Sequence, residues 1–118
     1  MGVGQSAEAN AAFDASFIDI YTGGDKQVRD QVLELFLAQG ELLLQRLREA
    51  LGNERAWHEA AHSLKGCASG VGANGLAAVA REAERQGAAG KTEQAATLDE
   101  LVSAFEVTAR KIKALLGP

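Results

Sequence analysis

Two histidines one helical turn apart are the residues of this sequence best suited to catalysis or metal binding. His58 and His62 stand in the run H-E-A-A-H, and His62 begins the run H-S-L-K-G, which ends at Gly66. An imidazole can act as a nucleophile or as a metal ligand. Lys65 adds a cation that could bind an anion. Glycine inside a helix costs roughly 1 kcal/mol relative to alanine, so its position here calls for a reason.

A helical projection places His62 on the outer face of its helix. At about 100° per residue from Trp57, His62 falls at about 140°, Gly66 at about 180° and Lys65 on the flank at about 80°. The apolar positions cluster near zero, which disfavours a core histidine. An exposed imidazole, a nearby cation and a bare stretch of backbone suit a phosphoryl group carried on histidine. A surface histidine with no task is the alternative.

The run H-E-A-A-H at residues 58–62 also matches the zinc protease pattern. In that interpretation His58 and His62 would bind zinc and Glu59 would act as the general base. A catalytic zinc needs a third protein ligand and a cleft, yet the sequence has no third histidine. A zinc hydrolase is therefore a distant alternative, and adventitious metal binding at the pair is more credible.

The elements that must position these residues are predicted to be helical throughout, because apolar residues recur at helical spacing. A short helix is expected within AAFDASFIDIY, with Phe13, Phe17 and Ile20 on one face. Four longer helices are predicted to start at the caps Asp25 and Asn53, near 73–74, and near Thr92. The helix that starts at Asp25 is predicted to run to Leu51. The predicted inward stripes are Val28, Val32, Leu35, Phe36, Leu43, Leu47 and Leu51; Trp57, Ala61, Leu64, Ala68 and Val71; Leu76, Val79, Ala80 and Ala83; and Leu98, Leu101, Phe105, Ala109, Ile112 and Leu116.

These helices favour an all-α fold, an antiparallel up-down-up-down four-helix bundle with a short extra N-terminal helix. We expect residues 1–10 to be a flexible leader and residues 11–117 to form one bundle domain. The starting methionine and the short leader favour a free-standing protein. A monomer is the default for helices with one inward stripe each.

Composition narrows the classes of partner and compartment. The net charge is −4 and no basic run stands out, which argues against nucleic acid as the main partner. The chain has one cysteine, Cys67, so it can form no internal disulfide, and we give catalysis by this thiol little weight. We see no signal peptide and no apolar run of membrane-spanning length. The expected location is the cytoplasm, without membrane contact.

The stretch from His62 to Leu76, H-S-L-K-G-C-A-S-G-V-G-A-N-G-L, resembles the histidine-containing phosphotransfer (HPt) domain. The family pattern is His-x-Leu-Lys-Gly, a small residue, an apolar-Gly-Ala step and a leucine. The opening F-D-A-S-F, the Leu35-Phe36 pair and Ala83-Glu84 are also similar to the family, so the resemblance covers about residues 12–116. The positions that fit the pattern are His62, Leu64, Lys65, Gly66, Ala68, Val71, Gly72, Ala73 and Leu76.

The resemblance implies a role for each matching residue. His62 would be the phosphoacceptor, attacking through Nε2, and Lys65 would stabilise the phosphoryl group or its anionic donor. Gly66 would keep the docking surface flat. Glu84 stands where the family often has Glu or Gln near the imidazole, although an ordinary rim carboxylate is an equal alternative. The family often has leucine before that residue, where this chain has Ala83.

The resemblance also implies the partners. Receiver domains of response regulators and a (hybrid) sensor histidine kinase would exchange phosphoryl groups with this chain, and the receiver would hold the Mg²⁺. This chain needs no cofactor of its own, and we predict no autokinase activity because no nucleotide-binding glycine loop is present. The small residues Gly66, Ser69 and Gly70 would form the partner surface around His62. The other histidine, His58, would lie at the rim of that surface. A helical interaction module that is never phosphorylated remains the competing class.

Overall fold

The computed structural model describes residues 13–86 and 88–117, and within them all regular structure is helical. The helices are α1 Ala15–Tyr21, α2 Lys26–Glu49, α3 Glu54–Gly70, α4 Asn74–Arg85 and α5 Lys91–Leu116. Helices α2 and α4 each pack against both α3 and α5. Since the links between the four long helices are short, neighbours along the chain run antiparallel. The predicted four-helix bundle with a short N-terminal helix is confirmed, and the predicted leader at residues 1–10 lies outside the described residues.

Side-chain caps start three of the helices. The carboxylate of Asp25 accepts from the backbone N–H of Val28, and the Asn53 side chain accepts from that of Ala56. Both caps were predicted, because these side chains satisfy donors that the first turn leaves unpaired. Asp14 caps α1 in the same way through the N–H of Ser16. At the other end, α2 stops at Glu49, two residues before the predicted end at Leu51.

The inward face of α3 agrees with the sequence pattern. Trp57, Ala61, Leu64 and Ala68 are fully buried, and Val71 is nearly so. The predicted stripes of α4 and α5 are likewise buried, apart from the half-buried Val79 and Leu116. Because α3 is held on its apolar face by this core, its opposite face, which carries His62, is left to solvent.

The predicted stripe of α2 is partly wrong. Val28 and Leu35 are exposed, at 41% and 62%, whereas Leu33 and Leu44 are buried. At about 100° per residue, Val28 and Leu35 lie more than 100° from the centre of the buried residues of α2. Leu33 and Leu44 lie at the opposite edge of that buried face, so the predicted stripe is displaced toward solvent.

The predicted face of α1 is also wrong in phase. Ile20 is 81% exposed and Phe17 41% exposed, while Ile18 is fully buried. Phe13 is buried as expected, but it precedes the cap Asp14 and so does not lie on the helix. The predicted face is out of phase because Phe13 lies outside the helix.

Two glycines allow close approaches that the bundle needs. A Cβ on Gly40 would overlap the ring of Phe105, so this glycine lets α2 and α5 approach closely. Gly72 has φ +77°, and an added Cβ would lie 2.9 Å from the backbone oxygen of Asp14. The carbonyl of Gly72 accepts from the N–H of Asp14 at 2.9 Å, which fixes the start of α1 beside the turn between α3 and α4.

Among the helices described, none combines the length and the apolar character required to cross a membrane.

Candidate functional site

His62 projects from the middle of α3 into solvent. Its side chain is 64% exposed, whereas its neighbours Ala61 and Leu64 are fully buried. The helix is anchored by these apolar residues one position before and two positions after the histidine. The outward orientation expected from the helical projection is confirmed.

Glu84 reaches His62 from the last turn of α4. Its Oε2 lies 2.5 Å from Nδ1 of His62, and its side chain is only 14% exposed. An ionised carboxylate can only accept a hydrogen bond, so Nδ1 is the nitrogen that carries the proton. In the neutral ring, Nε2 then holds the lone pair. The structure thus brings the two residues together, as one of the two sequence interpretations of Glu84 anticipated.

Lys65 completes an ion pair beside the imidazole. Its Nζ donates to Oε1 of Glu84 at 2.7 Å, and its side chain is 27% exposed. The hydrogen bond from Lys65, followed by that from His62, lowers the pKa of Glu84 below the ordinary glutamate value. The carboxylate is therefore ionised at neutral pH, and a cation is held close to His62.

The end of α4 is held by two consecutive side chains of α3. The indole Nε1 of the buried Trp57 donates to the carbonyl of Ala83 at 2.8 Å. Nδ1 of His58 lies 3.2 Å from the carbonyl oxygen of Glu84. Carbonyls in the last turn of a helix lack partners within the helix. These two bonds, which we call the α4 clamp, supply such partners and fix the backbone that bears Glu84.

His58 lies beside His62 on the same helix face. The two rings are nearly parallel, with an interplanar angle of 11° and centroids 6.4 Å apart. Nε2 of His58 is 3.8 Å from Oε2 of Glu84, and the His58 side chain is 54% exposed. The sequence predicted a surface residue at a docking rim. The contacts with Glu84 are additional, and nothing in the sequence pattern indicated them.

The face that continues from His62 toward the end of α3 is open to solvent. Gly66, Ser69 and Gly70 are all exposed. A Cβ added at Gly66 or Gly70 would meet nothing within 4 Å. These glycines are not needed for packing within the chain, in contrast to Gly40.

The geometry does not favour the zinc hydrolase alternative. Glu59, the general base of that pattern, pairs with Arg55 at 3.3 Å and is 64% exposed. Over residues 13–86 and 88–117, no group of three His, Cys, Asp or Glu side chains is arranged to hold a metal ion. Cys67 is half-buried, and burial raises the pKa of its thiol, which makes it a poor nucleophile at neutral pH.

The sequence model of the Hpt domain matches residues 31–108, well over half of the chain. The chain therefore belongs to the Hpt domain family, whose members carry phosphoryl groups in phosphorelays, and it is a phosphorelay phosphotransfer intermediate. Its fold is similar to the crystal structure of histidine-containing phosphotransfer protein B (HptB) from Pseudomonas aeruginosa PAO1. The TM-score is 0.82 at 24% identity, over 89% of this chain and 94% of that one. No curated protein sequence matches the chain.

Proposed function

We propose that His62 is the residue that accepts the phosphoryl group from a receiver-domain aspartate and passes it to another receiver aspartate. The observation that carries this proposal is the pairing of Nδ1 with Glu84 on an imidazole that is 64% exposed. That pairing leaves the Nε2 lone pair directed away from the carboxylate. An oriented neutral imidazole of this kind is an activated nucleophile.

The transfer step needs no proton relay. The Nε2 lone pair of His62 forms the N–P bond, while the P–O bond to the aspartate carboxylate breaks and that carboxylate leaves with the electron pair. The Nδ1 proton stays on the ring, so the phosphorylated ring carries a positive charge. The anionic Glu84 lies against that charge at 2.5 Å, and a hydrogen bond between charged groups is stronger than one between neutral groups. The reverse transfer uses the same groups.

Lys65 supplies positive charge at the edge of the same site. In the unphosphorylated protein its ammonium pairs with Glu84 at 2.7 Å. A lysine side chain is flexible and carries three donors, so it can turn toward the incoming phosphoryl group. Its part in this proposal is to stabilise the phosphoryl oxygens or the anionic donor.

The partner surface in this proposal is the open face formed by Gly66, Ser69 and Gly70, with His58 at its rim. Without side chains at the two glycines, a receiver domain can approach His62 closely. The receiver would supply its own Mg²⁺, and the phosphoryl group would enter the relay from a (hybrid) sensor histidine kinase. The chain itself would act as a monomeric carrier without autokinase activity, in the cytoplasm.

The test is incubation with a phosphorylated receiver domain carrying a radioactive phosphoryl group. Wild-type protein should acquire label that is labile in acid and stable in base. His62→Gln should acquire none, whereas His58→Asn, which removes the other histidine, should still be labelled. Label that persists in His62→Gln would overturn the assignment. Receiver binding by the wild type without any label would instead identify an interaction module that is never phosphorylated.

A further inference from the structure

Glu84 lies in the final turn of α4, which ends at Arg85. The last turn of a helix frays because its carbonyls lack partners within the helix. A carboxylate on such a turn cannot hold an imidazole in one orientation unless its backbone is fixed. The α4 clamp provides that fixation from α3, the same helix that carries His62.

His58 contacts the backbone of the very residue whose side chain contacts His62. A carbonyl oxygen can only accept, so the 3.2 Å contact with Glu84 requires the proton of His58 to be on Nδ1. His62 lies one turn after His58 on α3, and its Nδ1 donates to Oε2 of Glu84 at 2.5 Å. His58 therefore fixes the backbone of Glu84, and the carboxylate of Glu84 holds His62. The parallel arrangement of the two rings places both bonds on one face of α3.

We propose that His58 is a positioning residue for phosphotransfer. It acts on His62 through Glu84, by donating its Nδ1 hydrogen to the Glu84 backbone and so holding the carboxylate where it selects the Nδ1–H tautomer of His62. This inference rests on the proposed role of His62 as phosphoacceptor. It is distinct from a place at the docking rim, because it requires no partner protein to be present.

The first experiment measures the tautomer of His62 without any phosphorylation. The sequence has two histidines, so in His58→Leu and His58→Asn the two-bond ¹H–¹⁵N imidazole spectrum reports on His62 alone. With the pH raised until the spectrum itself shows a neutral ring, wild type should have the His62 proton on Nδ1. His58→Leu should shift His62 toward the mixed population of a free imidazole. His58→Asn should restore the wild-type signature, because an asparagine amide can donate from a position close to that of Nδ1.

The second experiment measures phosphorylation by phosphoramidate, a small donor that needs no docking surface. His58→Leu should be labelled about tenfold more slowly than wild type, since small errors in the placement of a reacting group reduce rates strongly. His58→Asn should recover most of the rate. The unfolding free energy of each variant is measured alongside, so that loss of fold is separated from loss of positioning.

The outcomes separate the two proposals. An unchanged His62 tautomer in His58→Leu, with an unchanged phosphoramidate rate, would overturn the positioning role. If only the rate with a receiver domain fell, His58 would act at the docking rim alone. If His62→Gln were still labelled, the phosphoacceptor proposal would fail, yet the spectrum of unphosphorylated protein would still decide whether His58 orients His62.

Discussion

The Glu84 carboxylate and the His62 imidazole meet at 2.5 Å although they lie 22 residues apart on different helices. Neither helix alone could form this pair, since it exists only where α3 and α4 are packed. The orientation of the imidazole therefore depends on the docking of two core elements. It does not depend on a loop, and this distinguishes the site from the many binding sites that loops carry.

Replacement of Glu84 should slow phosphorylation of His62 while leaving some activity. Glu84→Gln keeps an acceptor for Nδ1–H but removes the charge that would stabilise the phosphorylated ring, so we expect an intermediate rate. Glu84→Ala removes both and should slow transfer by roughly an order of magnitude, because charge-assisted hydrogen bonds are about twice as strong as neutral ones. Single-turnover transfer from a labelled receiver measures both. Rates equal to wild type in both variants would show that Glu84 is an ordinary surface carboxylate.

Replacement of Lys65 should change the ionisation of Glu84. Lys65 is the largest cause of the lowered pKa of this carboxyl group, so Lys65→Met should raise the Glu84 pKa toward the ordinary glutamate value of about 4.3. Carboxyl ¹³C chemical shifts followed through an acid titration measure the change. The same variant should also slow phosphotransfer. An unaltered Glu84 titration would mean that the ammonium does not reach the carboxylate in solution.

The ionisation of Glu84 should make the free energy of unfolding decrease as the pH falls into the acid range. Because the Glu84 pKa is lower in the folded protein than in the unfolded chain, the ionised carboxylate stabilises the fold. This contribution is complete above about pH 4.3 and is lost as the pH falls through the lower folded value. Wild type should thus unfold at a higher temperature than Glu84→Gln near neutrality, and the gap should close in acid. Glu100→Gln, a carboxylate change at an exposed position on α5, serves as the control for charge removal.

Two glycines inside helices should respond in opposite ways to alanine. At Gly66 an added Cβ meets open space, so Gly66→Ala should stabilise the protein by about 0.5–1 kcal/mol. At Gly40 it would overlap the ring of Phe105, so Gly40→Ala should destabilise by about 1–3 kcal/mol. Chemical denaturation measures both. Equal effects of the two substitutions would contradict the different surroundings described for these residues.

A large side chain at Gly66 should hinder the partner and leave the imidazole reactive. We expect Gly66→Leu to be labelled by phosphoramidate at the wild-type rate and by a phosphorylated receiver several-fold more slowly, because the added bulk only obstructs docking. Ala96→Leu, at an exposed position on α5, is the matched control and should change neither rate. Undiminished transfer from the receiver to Gly66→Leu would place the docking surface elsewhere.

The sequence predicts most accurately where a single helix determines the answer. The apolar residues of α3 step by four and three, so the projection locates both the buried face and the outward His62 correctly. For α2 the same method misses Leu33 and Leu44, because including Val28 and Leu35 displaced the predicted stripe toward the solvent-facing side of the helix. The phase of α1 is wrong because Phe13 precedes the helix.

Contacts between helices are harder to predict from sequence patterns. The family resemblance offers a contact between Glu84 and His62 as one of two interpretations, but the distance depends on how closely α3 and α4 pack. The bond from His58 to the Glu84 carbonyl has no sequence signal, since every residue has a carbonyl group. The spacing of the two histidines predicts that they share one face of α3, but it does not predict which group on α4 lies opposite His58.

The part of Trp57 in the α4 clamp makes the contact between α3 and α4 measurable by fluorescence. It is the single tryptophan of the chain, it is fully buried, and its indole nitrogen is bonded to the carbonyl of Ala83, the residue before Glu84. Its fluorescence therefore acts as an intrinsic optical reporter of the contact between α3 and α4. A red shift of its emission would register detachment of the α4 end without any attached dye, and a stopped-flow trace could show whether receiver docking disturbs the site.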